Sequence, residues 1–317
     1  MRAELTVQER GAVAPSPPPP LPPTRPTPPQ DDPRTRLREG VIDALRALPG
    51  YFRSETVIEG LAATDLFSLN AVLGTTIEVQ VVRTLNLIRD VWDPDERWAR
   101  YAFVRQPQTF PDVRLQAERD GEVDVALGIE LKGWYLLAKE REPSLRYQVT
   151  PAACSDWDLV AVVPWYLTNV LSGAPVAMTP WIESARYTAE YRNHWWQHIR
   201  DTRTDAAIAS PVAVTPYPTK DMRIADVPAR DGGSNFGRLA RVSGLMDDFI
   251  TSALQTQIAG VAAHHWVAFV KLHAENKDEA EIAARLERDL HRHFGPLSAG
   301  QSSQVVEHLT AIAALLR

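Results

Sequence analysis

The stretch Phe110 to Trp134, FPDVRLQAERDGEVDVALGIELKGW, holds three charged groups whose types suit one chemistry. Asp112 stands well before Glu130, and Lys132 follows Glu130 after a single residue. Two carboxylates brought together can share one hard divalent cation, because Mg²⁺ takes oxygen ligands at about 2.1 Å and keeps several waters. A neighbouring ammonium can then orient a water and offset the charge that builds up as it attacks a phosphate. An Asp followed later by Glu-x-Lys is common, so everything depends on whether the residues between them bring the three side chains together.

A β-hairpin does so. Asp120-Gly121 is a turn signal between two alternating runs, Asp112 to Glu118 and Val123 to Trp134. With a loop of Asp120, Gly121 and Glu122, Val113 meets Ile129, Leu115 meets Leu127 and Ala117 meets Val125, and one face is apolar throughout. The other face opposes Glu118 to Asp124, Gln116 to Ala126, Arg114 to Gly128 and Asp112 to Glu130. A slip of one residue sets apolar against polar positions, which a half-buried hairpin disfavours. Directly opposed residues have Cβ atoms about 5 Å apart, so Asp112 and Glu130 meet, with Lys132 next along the same face. Asp124 shares that face but lies roughly 20 Å from Glu130 at 3.3 Å per residue, outside the site.

The hairpin needs a frame. Thr35 to Leu48 has apolar residues at helical spacing and runs into Pro49-Gly50, a helix stop. In Leu69 to Val91, a second expected helix, Leu69, Leu73, Ile77, Val81, Leu85 and Ile88 form one stripe, and Asp93-Pro94 closes it. Tyr101 to Val104 and Leu159 to Trp165 read as further strands, the latter (LVAVVPW) apolar on both faces as a central strand is. Ile182 to Ile199 is helical in pattern, and Asp201 to Asn235 is a proline-studded stretch of loops. Helices are expected over Phe236 to Glu275, Asp278 to Phe294 and Ser302 to Leu316, with breaks or caps at Gly260 and Gly295-Pro296. This order implies an α/β (α+β) fold: a central mixed sheet flanked by helices, with a helical C-terminal subdomain. Pro15 to Pro33 holds eleven prolines in nineteen positions and is expected to be an extended, disordered arm. The expected divisions are an arm over 1–34, a core over 35–200, and a loop-rich, helical C-terminal subdomain over 201–317.

The 317 residues carry 34 Lys and Arg against 40 Asp and Glu, a net charge of −6. That balance counts against coating nucleic acid by bulk electrostatics and leaves room for a local basic cleft. The 44% hydrophobic and 23% charged content fits a soluble globular chain. No apolar run approaches the ~18 residues of a membrane span, and MRAELTVQER lacks an apolar signal region, so a cytoplasmic protein without a membrane partner is expected. The single cysteine, Cys154, excludes an internal disulfide and a Cys-based zinc site.

Pro111-Asp112 with Glu130-Leu131-Lys132 resembles the signature of the PD-(D/E)xK nuclease superfamily, and the organisation from about Leu69 to Ile199 is similar to its restriction-endonuclease-like version. The resemblance implies a helix, an antiparallel hairpin bearing the metal site, a helix and further central strands. It also implies that Asp112 and Glu130 bind Mg²⁺ with the main-chain carbonyl of Leu131, and that Lys132 acts on the attacking water. Glu78, in the helix before the sheet, loosely matches an acidic residue often found near such sites; a helix face meeting solvent explains it equally. The superfamily spans restriction, repair, recombination and RNA-processing enzymes, so the motif does not name a substrate. The chain has no helicase, methyltransferase or ATP-binding motif and has a large region outside the core. Both favour a free-standing type II restriction endonuclease, cutting double-stranded DNA as a homodimer to leave 5′-phosphate ends, with a cognate DNA methyltransferase encoded nearby. A repair or recombination nuclease and a non-catalytic DNA-binding module keeping the fold stay open as alternatives.

Candidate DNA contacts lie in two places. Arg186, Glu190, Asn193 and Gln197 share a helix face that suits guanine and adenine edges, or else form the polar side of a helix that docks Tyr187, Tyr191 and Trp195 on the sheet. Lys139, Arg141 and Arg146 follow the hairpin and suit phosphate contacts. A net acidic balance from Met246 to Phe294 favours dimerisation over DNA contact there. His194 and His198 have zinc-like spacing, but Trp195 stands where a metalloprotease needs Glu. His264-His265 reads as core histidine, the glycines of DGGSNFGR lack a nucleotide-loop spacing, and no G-x-S-x-G occurs.

Overall fold

The computed structural model describes residues 20–61, 65, 68–106, 108–200 and 207–274, with 281, 284 and 288. The helix expected over Asp278 to Phe294 is described only at those last three positions, and Ser302 to Leu316 and residues 1–19 lie outside the described residues. From Pro20 the arm runs without helix or strand up to Asp32, as its prolines require. It is tied to the body by Arg25, whose Nε donates to Glu183 at 2.8 Å and whose guanidinium lies 4.9 Å from the Tyr187 ring centroid.

Helix α1 (Pro33–Tyr51) starts where Asp32 caps it, accepting from Arg34 N at 2.8 Å, with Pro33 in the first turn. It passes the expected stop at Pro49-Gly50, because a proline in the last turn forfeits few bonds and Phe52 N still reaches Leu48 O at 2.7 Å. The second expected helix is divided at Ile88 into α2 (Leu69–Leu87) and α3 (Arg89–Trp92). Its stripe of Leu69, Leu73, Ile77, Val81, Leu85 and Ile88 is buried throughout.

A mixed sheet follows: β1 (Ala102–Arg105), β2 (Val113–Arg119), β3 (Glu122–Tyr135), β4 (Leu159–Leu167), β5 (Pro175–Ala177) and β6 (Trp181–Ser184). β1, β2 and β3 are antiparallel neighbours, and β4 lies parallel to β3. β5 and β6 both run against the far edge of β4, on its C-terminal and N-terminal halves. Val160 to Val163 of β4 are fully buried, which accounts for a strand that is apolar on both faces.

The hairpin register holds at one end and shifts at the other. Val113 pairs with Ile129, Arg114 with Gly128 and Leu115 with Leu127, as the apolar pattern requires. The turn, however, has two residues rather than three. Asp120 and Gly121 both adopt positive φ (55° and 83°), the conformation of a two-residue hairpin turn whose twist matches the strands. Arg119 therefore pairs with Glu122, and a bulge that leaves Ala126 unmatched between Val125 and Leu127 restores the register toward the site.

Three further departures have local causes. The helix expected from Ile182 begins at Ala185, because β4 offers Trp181–Ser184 an edge to pair with; Ser184 then caps α4 (Ala185–His194), its Oγ accepting from Tyr187 N at 3.3 Å. α4 runs on into a π-helical turn over Trp195–Ile199. The helix that the family resemblance implies between the hairpin and the next central strand is absent; the one helical turn in residues 136–158 is the 3₁₀ turn at Pro151–Ala153. After the short pair β7 (Ile208–Ala209) and β8 (Val227–Pro228), the long helix expected from Phe236 is broken into α5 (Asp247–Leu254), the strands β9 (Gln257–Ile258) and β10 (Val261–Ala262), and α6 (Ala263–Ala274). Ala259 and Gly260, at φ 50° and 80°, make the hairpin turn at the expected break. Leu239, Leu245, Met246 and Trp266 join the same apolar core as α1, α2 and the sheet, and Phe249 lies 6.3 Å from the Trp134 ring.

Gly128 marks the tightest approach in the hairpin. A Cβ there would fall 2.2 Å from Pro111 Cγ and 3.1 Å from Asp158 Oδ1. We expect Gly128→Ala to lower the urea midpoint at constant slope by an amount equivalent to about 1–3 kcal/mol, the usual cost of overpacking.

Candidate active site

Asp112 sits one residue before β2, and continuing the register past Val113–Ile129 sets it beside Glu130. The two are joined through the main chain rather than directly. Asp112 N–H donates to Glu130 Oε2 at 3.3 Å, and Leu131 N–H donates to Asp112 Oδ2 at 3.2 Å. Because a strand residue sends its N–H and C=O toward the same neighbour, the Leu131 carbonyl also points toward the line of β2. Continuing the register, the residue opposite it there is Pro111, which has no N–H to donate to that carbonyl.

Helix α2 supplies the third acidic group. Glu78 Oε1 accepts from Lys132 Nζ at 3.3 Å and from Gly133 N at 3.2 Å, while its Oε2 lies 3.9 Å from Arg105 Nη2 at the end of β1. Glu78, Asp112, Glu130 and Lys132 thus converge, and Glu78 meets the sheet rather than bulk solvent, its side chain only 14% exposed. Arg105 joins them although no local pattern marks it: its place in the site comes from β1 pairing with β2, which sets it opposite Val113.

Burial pushes the Asp112 carboxyl up to about 6, and the negative Glu78 adds to the rise; the Leu131 N–H, Lys132 and Arg105 oppose it. Glu130 is pushed well above the usual carboxylate range by burial first and then by Asp112 and Glu78. Three acids facing two cations make a site that favours either a proton or an added cation. Among the described residues no set of three or more His, Cys, Asp or Glu groups is arranged to hold a metal ion; the oxygens gathered here are those of the Asp112 and Glu130 carboxylates and the Leu131 carbonyl. These oxygens are the donor type Mg²⁺ takes.

The frame below the site is polar and closely bonded, with Arg114 Nε the one atom of its side chains left buried without a partner among the described residues. Asp158, buried, accepts from Gly128 N at 2.7 Å, Ser155 N at 2.8 Å and Tyr217 Oη at 2.9 Å. Arg114 donates to Phe110 O and Pro218 O at 3.2 and 3.3 Å and lies 5.5 Å from the Tyr217 ring centroid. These contacts clamp the loop that carries Pro111 and Asp112 onto the hairpin.

The other sequence candidates lie elsewhere. Asn193 is bound to a buried ion pair: its Nδ2 donates to Asp226 Oδ2 at 2.7 Å and its Oδ1 accepts from Arg192. Arg192 and Asp226 themselves meet at 2.6 Å. Arg186 donates to Cys154 O at 2.7 Å and pairs with Asp156 at 3.2 Å. Gln197 lies in the π-helical turn, part-buried. Arg146 bonds Asp231 at 2.8 Å and Phe236 O at 3.2 Å, whereas Lys139 and Arg141 are exposed in the turn after β3. Cys154 is buried and its thiol is pushed up to about 12, which leaves it unreactive. No described helix is long and apolar enough to cross a membrane.

No protein-family model matches the chain, and comparison with curated proteins and with solved structures finds no match.

A carboxyl raised on folding stabilises the fold while it is protonated, and that contribution is lost as pH climbs from about 4 through about 6. Asp112→Asn keeps an acceptor for Leu131 N–H and removes the charge. We expect it to be more stable than wild type at pH 8, on the order of 2 kcal/mol by urea unfolding, with the difference vanishing below pH 4. Millimolar Mg²⁺ at pH 8 is expected to raise the wild-type melting temperature and leave that of Asp112→Asn unchanged.

Proposed function

We propose that this chain is a Mg²⁺-dependent endonuclease hydrolysing phosphodiester bonds of double-stranded DNA, a type II site-specific restriction endonuclease that acts as a homodimer and leaves 5′-phosphate ends. The observation that carries this reading is the convergence of Asp112, Glu130, Lys132 and Glu78, from one hairpin and one helix, on a single part-buried spot. The order of α2, antiparallel hairpin and parallel β4 supports a restriction-endonuclease-like core, while the missing helix between β3 and β4 departs from that pattern.

Asp112, Glu130 and the Leu131 carbonyl would hold Mg²⁺, which when bound polarises a phosphate oxygen and makes a coordinated water more acidic. Lys132 carries a fixed positive charge beside the carboxylates and can donate to the incoming water or to a phosphate oxygen, offsetting charge that grows at phosphorus. Glu78 keeps that ammonium over the site instead of in solvent, since Lys132 Nζ and Gly133 N share its Oε1. The hydrophobic residues behind the pair, among them Phe110 and Tyr147 with rings 6.1 Å apart, keep water out and strengthen these interactions.

Closed circular DNA incubated with the chain and Mg²⁺ is expected to give discrete fragments with constant, 5′-phosphorylated ends. Asp112→Ala and Lys132→Ala should each slow cutting by about a hundredfold or more. Nicking without a pattern would move the protein to repair or recombination. No cutting with Mg²⁺ or Mn²⁺, together with DNA binding unchanged in both variants, would sink the enzymatic reading.

A further inference from the structure

Arg105 is the last residue of β1, opposite Val113, and so stands beside Asp112. Gln106 N–H donates to the Asp112 carbonyl at 2.6 Å, which fixes this end of β1 against the site. Among the described residues the Arg105 side chain makes one ion pair, with Glu78 Oε2 at 3.9 Å, and no hydrogen bond; it is 37% exposed. Charge-assisted hydrogen bonds close to about 2.7–2.9 Å, so this guanidinium is held by charge with its donors unused. Other arginines of the chain contrast with it: Arg192 and Arg146 bond their carboxylates at 2.6 and 2.8 Å. Glu78 cannot draw Arg105 closer without turning from Lys132 and Gly133, which its other oxygen already serves.

We infer that Arg105 is a phosphate-binding side chain: it leaves Glu78 to take two oxygens of a phosphodiester or phosphate monoester placed over Asp112 and Glu130. A pair of carboxylates repels a phosphate, so beyond any metal ion they hold, the attraction comes from side-chain cations at the rim. Lys132 and Arg105 are those cations, held on the two oxygens of one carboxylate. The planar fork of Arg matches phosphate oxygens two at a time, a geometry Lys does not reproduce. The substrate class rests on the nuclease reading, whereas the phosphate site itself does not.

The probe is thymidine 3′,5′-bisphosphate, titrated calorimetrically into the full chain with Ca²⁺. The wild type is expected to bind, Arg105→Ala to bind at least about tenfold more weakly, and Arg105→Lys to recover part of the loss. Arg83→Ala, which removes only an exposed pair with Glu55, should bind as wild type does. Melting curves of each variant establish that it is folded. Equal affinity in wild type and Arg105→Ala, or no binding by the wild type, overturns the inference. A wild type that cuts DNA while Arg105→Ala binds the probe unchanged leaves the nuclease reading standing and this one fallen. Arg105-dependent binding by a chain that cuts no DNA does the reverse.

Discussion

Two like charges held side by side where water is scarce are the constraint around which this molecule is arranged. Asp112 and Glu130 repel each other, and burial raises both carboxyls. A flexible chain would let them part. Here Asp112 N–H bonds the Glu130 side chain and Leu131 N–H bonds the Asp112 side chain, so each carboxylate is anchored by the main chain beside the other. The apolar pairs Val113–Ile129 and Leu115–Leu127 set the register that makes this unavoidable. Two cations on Glu78 reduce the net negative charge without meeting the pair directly.

The far end of the hairpin follows different needs. An Asp-Gly turn closes most easily with two residues at positive φ, whereas the apolar face near the site asks for a three-residue count. The bulge at Ala126 reconciles them. It absorbs one residue in the middle of β3, so turn chemistry and core packing are both satisfied. Val123, near the turn, is 58% exposed, and a strand that projects into solvent tolerates such an irregularity at little cost.

The residues that could be read from the sequence were those governed by strong local rules. The α2 stripe, the apolar β4 and the site end of the hairpin all follow from periodicity and burial. Other features were decided by partners distant in the chain. Trp181–Ser184 became a strand because β4 had an open edge, and Asn193 was taken up by Arg192 and Asp226 rather than left on an outer face. Arg105 shows the same limit: nothing near it in sequence marks it, and only the β1–β2 register brings it to Glu78. The turn length was legible in principle, since Asp-Gly favours two residues, but a bulge leaves no sequence signal that separates it from a longer loop.

The stretch with the least regular structure bears directly on the site. Tyr217, at φ 57° in a proline-rich loop, donates to Asp158, which also holds Gly128 N. Gly128 in turn leaves the space that Pro111 occupies, and Pro111 precedes Asp112. Asp226, farther along the same segment, is buried against Arg192 and Asn193, with Arg192 also donating to Tyr147 O and Val149 O. A buried charge left with one partner missing is costly, so loss of Asp226 or Arg192 would weaken the whole cluster. Residues 207–235 are thereby tied to Arg114 of β2, to Asp158 and to α4.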